Sequence, residues 1–468
     1  MDPRPASPPA APAEPTVSAD GLVRGLTPFQ CVALVVGTLI GSGIFFVPNE
    51  MIREVHSFTW IMAAWVVGGL LSLFGALAYA ELGALRPQAG GEYVFLRDGW
   101  GSGLGFLFGW GMFWIIRPVS AAAIGAGFAL AAGFIWPGLN ATVISFAGVG
   151  IQGIQLLAAG VIILVTAVNY FGVRQGGRLQ AWFTALKLLL IAGLIAAALV
   201  WAPGDWHHLG QQLAAPLANM GGFGGFAAAL VAALWAYDGW NNLTLAGSEI
   251  QQPQRTIPIA MGVGLAVVFA AYALVNVAYF YVLSPAQVAA HNNVAGAMAA
   301  AFIGRHGGAL VSVAIMVSVF ATLNSSILSG ARAPFAMARD GVFFSRLAHV
   351  HPRYRTPDVA LWIQAAFTCI FALASHYQGL FTLTIFAEWL FYALAVSSLF
   401  AFRRRGETSP YRMWGYPVLP AIFIVCALVI LEQTFAANLL PSIVGLAIIL
   451  AGIPFFLWRQ RRRPRAAG

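Results

Sequence analysis

Long apolar segments of about 20 residues, separated by short polar stretches, repeat along nearly the whole chain. A helix of that length spans the hydrocarbon core of a bilayer. Twelve segments follow from the pattern, at roughly 28–54, 58–84, 100–134, 151–170, 179–201, 222–250, 257–283, 308–334, 358–375, 379–402, 417–436 and 440–458. The chain is therefore predicted to be an all-α integral membrane protein with twelve transmembrane helices.

Two of these segments are interrupted in the middle by residues that do not favour a helix. The first contains Gly41-Ser42-Gly43, and the sixth contains the run from Tyr237 to Asn242. Lipid offers no hydrogen-bond partner, so non-helical backbone at membrane depth lines a cavity. Breaks at matching places in two halves of a chain are typical of a transporter's substrate site. Helices one and six are therefore predicted to be discontinuous.

The first break would present two helix ends whose partial charges complement those of an amino acid zwitterion. A half-helix that starts near Ile44 would present free N–H groups and a positive dipole end, which suit a carboxylate. A half-helix that ends near Ile40 would present bare carbonyls, which suit an ammonium group. The alternative is a glycine motif that only allows close packing between helices.

The second break carries Asp238 in a long apolar stretch, where a carboxylate is costly and by default functional. Its alternative role is to cap the second half-helix. Trp235 and Tyr237 flank the break and either close over a small ligand or pack as ordinary core residues. The predicted substrate-binding residues are Leu39, Ile40, Gly41, Ser42, Gly43, Ile44, Trp235, Ala236, Tyr237, Asp238 and Gly239.

Lys187 is the only lysine in the chain and lies well inside the fifth segment. A buried ammonium needs oxygen partners. Four hydroxyl residues share one face of the eighth segment, and carbonyls of the first half-helix are further candidates. A fixed ammonium there could replace a bound sodium ion; the alternative is that the side chain extends to an interface. The predicted sodium-surrogate group is Lys187, Ser318, Thr322, Ser325 and Ser326.

Two more charged residues lie within apolar segments. Arg117 precedes Pro118 in the third segment, and its predicted role is structural, bound to local carbonyls or an acid. Glu388, in the tenth segment, either touches the transport pathway or pairs with a polar neighbour.

The composition agrees with a membrane protein. Hydrophobic residues make up 60% of the 468 residues and charged residues only 9%, with a net charge of +9. Among the predicted loops, one side of the membrane carries only Arg53 and Arg305, whereas the other arginines near the surface collect on the opposite side. This bias puts both termini in the cytoplasm and argues against a nucleic-acid partner.

The chain divides into a core with a tail at each end. Residues 1–25 are rich in proline and alanine, which predicts a disordered cytoplasmic tail rather than a signal peptide. The transporter core covers residues 26–402, as two five-helix units at about 26–201 and 222–402. Two additional helices occupy residues 403–458, and residues 459–468 form a basic cytoplasmic tail. The core and the two extra helices are expected to sit in the lipid bilayer.

No catalytic signature is present in the sequence. Metal-ligand spacing, a phosphate-binding glycine loop and a nucleophile elbow are all missing, so no enzyme activity, metal or cofactor is predicted.

Several motifs resemble those of one transporter superfamily. The run Gly37–Phe45 resembles the first-helix motif of the amino acid–polyamine–organocation (APC) superfamily, and Tyr79–Gly83 resembles its motif after helix two. More specific runs are similar to the L-type amino acid transporter (LAT) family: Arg117–Ser120, Asn169–Arg174 with Phe183–Lys187, Trp235–Asn241 with Ser248–Arg255, and Leu323–Ser329 with Ala338–Gly341.

The resemblance implies a LeuT-like fold of two inverted five-helix repeats, and sodium-independent amino acid exchange. It implies that Gly41, Ser42 and Gly43 N–H groups bind the carboxylate, while carbonyls near Leu39, Ile40 and Trp235 bind the amino group. Trp235 occupies the family's gating position, and Lys187 matches the lysine that stands where related carriers bind sodium.

The sequence also departs from mammalian members at two places. Asp238 stands where they usually have glycine, so the polar end of the pocket is expected to differ. They also carry an external cysteine that joins a glycoprotein partner, but the loop at about 135–149 has none. A disulfide-linked heavy subunit is therefore not expected, and the resemblance implies a stand-alone prokaryotic carrier in the inner (plasma) membrane.

The predicted function is exchange of small or neutral L-amino acids by alternating access. The main alternative is a proton-coupled uptake carrier in which Asp238, Glu388 or Lys187 titrates. A polyamine or cationic amino acid carrier, and a transport-dead receptor or channel, are further alternatives.

Overall fold

The computed structural model describes residues 17–146, 149–213, 223–374, 377–437 and 439–461. The predicted tail segments 1–16 and 462–468 lie outside the described residues. The first half of the chain contains eight α-helices, namely α1 Pro28–Leu39, α2 Gly43–Val55, α3 Phe58–Leu85, α4 Glu92–Trp100, α5 Ser102–Gly111, α6 Arg117–Ile135, α7 Gly153–Tyr170 and α8 Val173–Trp201.

The second half of the core contains nine more α-helices, and three further α-helices follow it in the chain. The nine are α9 Phe223–Ala236, α10 Asn242–Leu245, α11 Pro253–Val282, α12 Pro285–Ala290, α13 Val294–Ile303, α14 Gly307–Gly330, α15 Arg332–Arg339, α16 Asp358–Ala374 and α17 Tyr377–Arg404. The last three are α18 Val418–Ala437, α19 Leu439–Leu450 and α20 Gly452–Arg461. Helix thus occurs in each of the twelve predicted segments.

By length and composition, nine helices in the described part of the chain can cross a membrane, and the bent pair α1–α2 makes a tenth. The sixth and ninth predicted segments hold shorter apolar helices, Gly224–Ala236 and Asp358–Ala374. The sixth is short because its helix stops at the break.

The first break separates α1 from α2 and bends the chain by 41°. Helix α1 starts with a capping box, in which the Thr27 side chain accepts from the N–H of Gln30 and the Gln30 side chain accepts from the N–H of Thr27. It ends at Leu39, and Ile40 leaves helical geometry with a ψ of 82°. Helix α2 begins at Gly43, so the break lies where the glycines predict it.

The second break separates α9 from α10 with five non-helical residues, 237–241. Gly239 has a φ of 110°, a conformation that side-chain-bearing residues rarely adopt. A Cβ atom at Gly239 would also overlap the Thr38 side chain of α1. The glycine therefore allows the two broken segments to touch.

The broken segments are enclosed by other helices. Helix α1 packs against α8, α11 and α14, and α2 packs against α9. Helix α14 also packs against α6, while α18 covers α17 and α3. Because of this enclosure, the open backbone at the breaks faces protein and a cavity rather than lipid.

One element differs from an all-helical chain. Residues Thr142–Phe146 (β1) and Val149–Gln152 (β2) pair as a short antiparallel hairpin between α6 and α7. The hairpin is too short to stand out from the apolar pattern of the two helices that flank it. Its apolar residues Val143 and Ile144 are both exposed.

Part of the predicted disordered tail is ordered. Within residues 17–25, Leu22 is fully buried, and Leu26 pairs with the chain after α10 through bonds to Glu249 (2.9 Å) and Gln251 (3.0 Å). Arg24 donates to the Ile250 carbonyl at 3.1 Å. These contacts hold the segment against the core; we call the side on which it lies the N-terminal face.

Ion pairs account for several charged residues near the N-terminal face. Arg332 and Glu249 form a fully buried pair with two bonds of 2.7 and 2.9 Å. Arg403 of α17 binds Glu81 of α3 at 2.6 Å. Each arginine donates from two guanidinium nitrogens to one carboxylate, so charges that would be costly to bury alone are paired.

Candidate substrate site between the broken helices

A cavity lies between the two breaks and is completed by α6, α14 and α17. Of the predicted site residues, it is lined by Leu39, Gly41, Ser42, Gly43, Trp235, Ala236, Asp238, Gly239, Thr322 and Ser326. The remaining predicted residues are buried and lie outside the lining: Ile40, Ile44, Tyr237, Lys187, Ser318 and Ser325. The structure thus brings the two predicted breaks to one site.

The start of α2 presents backbone donors to this cavity. No side chain in the described part of the chain caps the helix start. The N–H of Gly41 donates to the Leu39 carbonyl at 2.8 Å, and that of Phe45 to the Ser42 carbonyl at 3.1 Å. The open end of the helix therefore consists of the N–H groups of Ser42, Gly43 and Ile44, which can bind an anion. The Gly41 N–H, which the resemblance implies as a donor to the carboxylate, is already engaged.

The carbonyls at the end of α1 are partly engaged by side chains. The Ile40 oxygen accepts from Lys187 Nζ at 2.6 Å and from Ser318 Oγ at 2.8 Å. The Tyr272 hydroxyl lies 2.7 Å from the Leu39 oxygen and 2.8 Å from the Ala236 oxygen. Tyr272 of α11 thus joins the ends of α1 and α9.

Lys187 ties three elements together. Its Nζ donates to the carbonyls of Gly37 (2.9 Å), Ile40 (2.6 Å) and Ser318 (3.1 Å), and the side chain is buried. Three carbonyl oxygens satisfy the three N–H donors of an ammonium group. The alternative that the side chain extends to an interface is excluded by this geometry. The first half-helix, α8 and α14 therefore meet at one positive charge.

The predicted hydroxyl residues of α14 divide between two roles. Ser318 and Thr322 donate to the same α1 carbonyls that Lys187 binds, with Thr322 Oγ1 3.0 Å from the Gly37 oxygen. Ser325 instead bonds the Thr38 hydroxyl. Ser326 lines the cavity, and its buried hydroxyl has no partner within the described residues.

The two aromatic residues at the second break have different surroundings. Tyr237 is buried and packs edge-on against Trp65 (5.6 Å between ring centroids) and beside Tyr272 (5.1 Å), which is ordinary core packing. Trp235 is half-buried, lines the cavity and lies close to Gly43: a methyl group at Gly43 would be 3.1 Å from its Cζ3 atom. Of these two residues, Trp235 is therefore the one positioned to cover a ligand.

Asp238 does not cap the helix that follows it. Helix α10 has Asn241 at its cap position, without a side-chain bond. The Asp238 carboxyl instead accepts from the Tyr392 hydroxyl at 2.9 Å and is hydrogen-bonded to Glu388. Both acids line the cavity, so Glu388 touches the pathway and also pairs with a polar neighbour.

A polar layer closes the cavity on the side of the N-terminal face. Arg117, predicted to bind carbonyls or an acid, donates to the Asn242 side chain instead. Asn241 donates to Glu92 of α4 at 2.6 Å. Burial raises the pKa of Glu92 to about 7, although the bond from Asn241 acts in the opposite direction.

Sequence reasoning missed several lining residues: Thr38, Ser120, Ala123, Ile124, Asn241, Asn242, Val319 and Trp389. Most are small or apolar and carry no signal in a membrane helix. Arg117, predicted to be structural, also lines the cavity, and a π-helical turn at Met112–Ile116 precedes it; such turns occur often at functional sites.

The bridge made by Tyr272 gives a test of the site. Tyr272→Phe removes the donor shared by the Leu39 and Ala236 carbonyls, and we expect about fivefold weaker binding of a small neutral amino acid, which corresponds to about 1 kcal/mol. Binding of a labelled neutral amino acid to purified protein measures it. Tyr281→Phe, on the same helix but packed against Trp206, is the matched control. Equal affinities of the two variants would contradict a role for this bridge.

The comparison with known families agrees with this geometry. A family model described as amino acid permease matches residues 26–455. The chain belongs to the amino acid permease family. This confirms the superfamily predicted from the motifs. Its family and its curated relatives are membrane transporters and not enzymes, and the same holds for this permease.

The permease is similar to curated relatives over almost its full length. It is 33% identical to the serine/threonine exchanger SteT of Bacillus subtilis over 451 residues, which cover 95% of this chain and 98% of the relative. It is 30% identical to the human large neutral amino acids transporter small subunit 2 over 424 residues, 90% and 78% of the two chains. The human b(0,+)-type amino acid transporter 1 is 28% identical over 445 residues, 93% and 86%.

Proposed function

We propose that this permease exchanges small or neutral L-amino acids across the membrane by alternating access and without sodium. The observation that carries the proposal is the position of Lys187. Its ammonium binds carbonyls of the first break and of α14, at 2.6 to 3.1 Å. A fixed positive charge at this place leaves no need for a bound sodium ion. The exchange activity named for SteT supports the same function.

The zwitterion would bind across the first break. Its carboxylate would accept from the N–H groups of Ser42, Gly43 and Ile44, at the positive end of the α2 dipole. Its ammonium would donate to carbonyls at the ends of α1 and α9, near Leu39 and Trp235, as the family resemblance implies. The Ile40 carbonyl, also implied by the family resemblance, would act through Lys187, which it already binds at 2.6 Å.

Closure would follow from the same contacts. Gly43 and Trp235 belong to different broken segments and are near contact. A substrate that bridges these segments would draw them together and place the Trp235 ring over itself. The polar layer of Arg117, Asn242, Asn241 and Glu92 would have to open before release on the N-terminal face.

We further propose a plasma-membrane location with both termini in the cytoplasm, on the arginine distribution alone. We also propose that the carrier works without a disulfide-linked subunit. The three cysteines are unpaired and lie within helices: Cys31 in α1, Cys369 in α16 and Cys426 in α18. The connection between α6 and α7, where the resemblance would require one, has no cysteine.

Counterflow in liposomes tests the function. Labelled serine should enter vesicles preloaded with a neutral amino acid, stay outside empty vesicles, and enter equally well when choline replaces sodium. Screening the twenty amino acids at two pH values identifies the substrate class, with protein-free liposomes as the control. Uptake into empty vesicles driven by a pH gradient would instead identify a proton-coupled carrier. Ion conductance without saturable uptake would identify a channel.

A further inference from the structure

Two carboxyl groups meet in the wall of the cavity. Asp238, in the second break, is hydrogen-bonded to the Glu388 side chain of α17. The Tyr392 hydroxyl, one turn further along α17, donates to Asp238 Oδ1 at 2.9 Å. Both acids line the cavity, so a substrate side chain in the cavity would meet them directly.

A hydrogen bond between two carboxyl groups requires a proton. An ionised carboxylate only accepts, whereas a protonated carboxyl can donate. Two carboxyl groups that meet away from water favour sharing one proton, which leaves a single negative charge on the pair. Two interacting acids of this kind titrate as a unit, so the proton belongs to the pair rather than to either residue.

One positive charge faces the pair. Arg117 lines the same cavity and is 4% exposed; one of its terminal nitrogens binds Asn242, and its Nε has no partner within the described residues. Among the residues that line the cavity, Arg117, Asp238 and Glu388 are the charged ones. With one proton on the pair, their charges sum to zero, which is the favourable state at low dielectric.

Other titratable groups surround the pair from neighbouring helices. Tyr79 of α3 and Glu92 of α4 act on it electrostatically, as does Tyr392 of α17. None of the three lines the cavity. Lys187 is bound to carbonyls of Gly37, Ile40 and Ser318 and is not hydrogen-bonded to either acid. The charge of a ligand in the cavity therefore acts on the Asp238–Glu388 pair more directly than on these other groups.

We propose that the Asp238–Glu388 pair matches its proton to the charge of the substrate side chain, an inference that rests on the proposed function of the cavity. An uncharged side chain, such as the hydroxymethyl group of serine, binds while the pair keeps its proton. A cationic side chain, such as the ammonium of lysine, binds only when the proton has left.

The charges balance in both modes. In the first, the protonated pair, Arg117 and a zwitterionic substrate sum to zero. In the second, the substrate brings one positive charge, the shared proton passes to solvent, and both acids become carboxylates; the sum is again zero. No covalent bond other than that to the proton changes. In the pH range where the pair holds its proton, the same site would therefore take neutral amino acids with constant affinity and cationic ones with increasing affinity as the pH rises.

Calorimetry on the full-length protein in lipid nanodiscs tests this. Titrations with serine and with lysine at pH 7, in phosphate and in Tris, give the number of protons released on binding. We expect none for serine and one for lysine. Lysine should bind about tenfold more tightly per pH unit, in the range where the pair holds its proton, while serine affinity stays constant.

Glu388→Gln locates the source of the proton. The amide can still donate to Asp238 but has no proton to release, so lysine binding should lose both its proton release and its pH dependence. Glu432→Gln, on the exposed face of α18, is the matched control and should keep both. Proton release that persists in Glu388→Gln would assign it to another group, such as Glu92, and overturn the proposal.

The wild-type experiments separate this inference from the proposed function. One outcome is that serine is exchanged in liposomes while lysine binds without proton release or does not bind at any pH. In that case the proposed coupling between the shared proton and the side-chain charge is wrong, whereas the proposed exchange function stands. If no amino acid is exchanged, the proposed function fails first.

Discussion

Lys187→Ala should reduce serine exchange at least about a hundredfold while the protein still folds. The ammonium makes three charge-assisted bonds to the carbonyls of Gly37, Ile40 and Ser318, each of which contributes about 1.5–3 kcal/mol in proteins. Its loss removes the charged tie between the end of α1 and helices α8 and α14, and leaves the hydroxyl bonds there. Labelled serine counterflow in proteoliposomes, with size-exclusion profiles to check the fold, measures the effect.

Two companion variants separate charge from packing. Lys187→Met keeps most of the buried side-chain volume but removes the charge, so it should be as inactive as Lys187→Ala. Lys187→Ala leaves a space lined by carbonyls and by the hydroxyls of Ser318 and Thr322, all oxygen ligands of the kind that hard cations prefer. We therefore expect sodium, but not choline, to restore part of its exchange. Exchange by Lys187→Ala at the wild-type rate in choline would disprove the surrogate role.

The breaks themselves could be predicted from the sequence because they violate a strong rule. Glycines and an acid in the middle of an apolar run, at Gly41 to Gly43 and at Asp238, have few explanations in a membrane helix. The structure places both breaks where the residues indicate them. Lys187 was recognisable for the same reason, since a single lysine inside a membrane helix must find oxygen partners.

The contacts of these residues could be predicted only in part, since carbonyls of the first half-helix were candidate partners of Lys187 and two of them bind it. Sequence spacing offered the α14 hydroxyls to Lys187, whereas the structure uses the Ser318 carbonyl and turns Ser325 toward Thr38. Backbone carbonyls carry no residue-type signal, so their use depends on the packing of α1 between α8 and α14. Asp238 was ambiguous because its partners, Glu388 and Tyr392, lie about 150 residues away, in α17.

Order in residues 17–25 was also missed, for a physical reason. Residues 1–25 are rich in proline and alanine, which by composition indicates disorder. It is held instead by main-chain pairing of Leu26 with residues 249 and 251 and by burial of Leu22. Such long-range backbone pairing depends on where α10 ends, a feature that local sequence does not report.

Gly43→Val should abolish detectable serine binding. A Cβ atom at Gly43 would lie 3.1 Å from Trp235 Cζ3 and 3.2 Å from Ala236 Cβ, closer than ordinary contacts. Valine adds two methyl groups beyond that position, so α2 and α9 must move apart. Its branched side chain would also cover the N–H groups at the start of α2, which are the proposed carboxylate site. Binding of labelled serine to the purified variant measures the loss.

A graded series and a matched control make this prediction specific to the site. Gly43→Ala adds one methyl group within 3.1–3.4 Å of its neighbours, and the half-buried Trp235 ring can shift by a few tenths of an ångström, so weakened binding is expected rather than loss. Gly160→Val makes the same change as Gly43→Val in α7, where a Cβ atom meets nothing within 4 Å, and should bind serine like the wild type. If Gly43→Val binds serine as tightly as Gly160→Val, the carboxylate does not bind at the start of α2, because no α-amino acid could reach those N–H groups past a valine side chain.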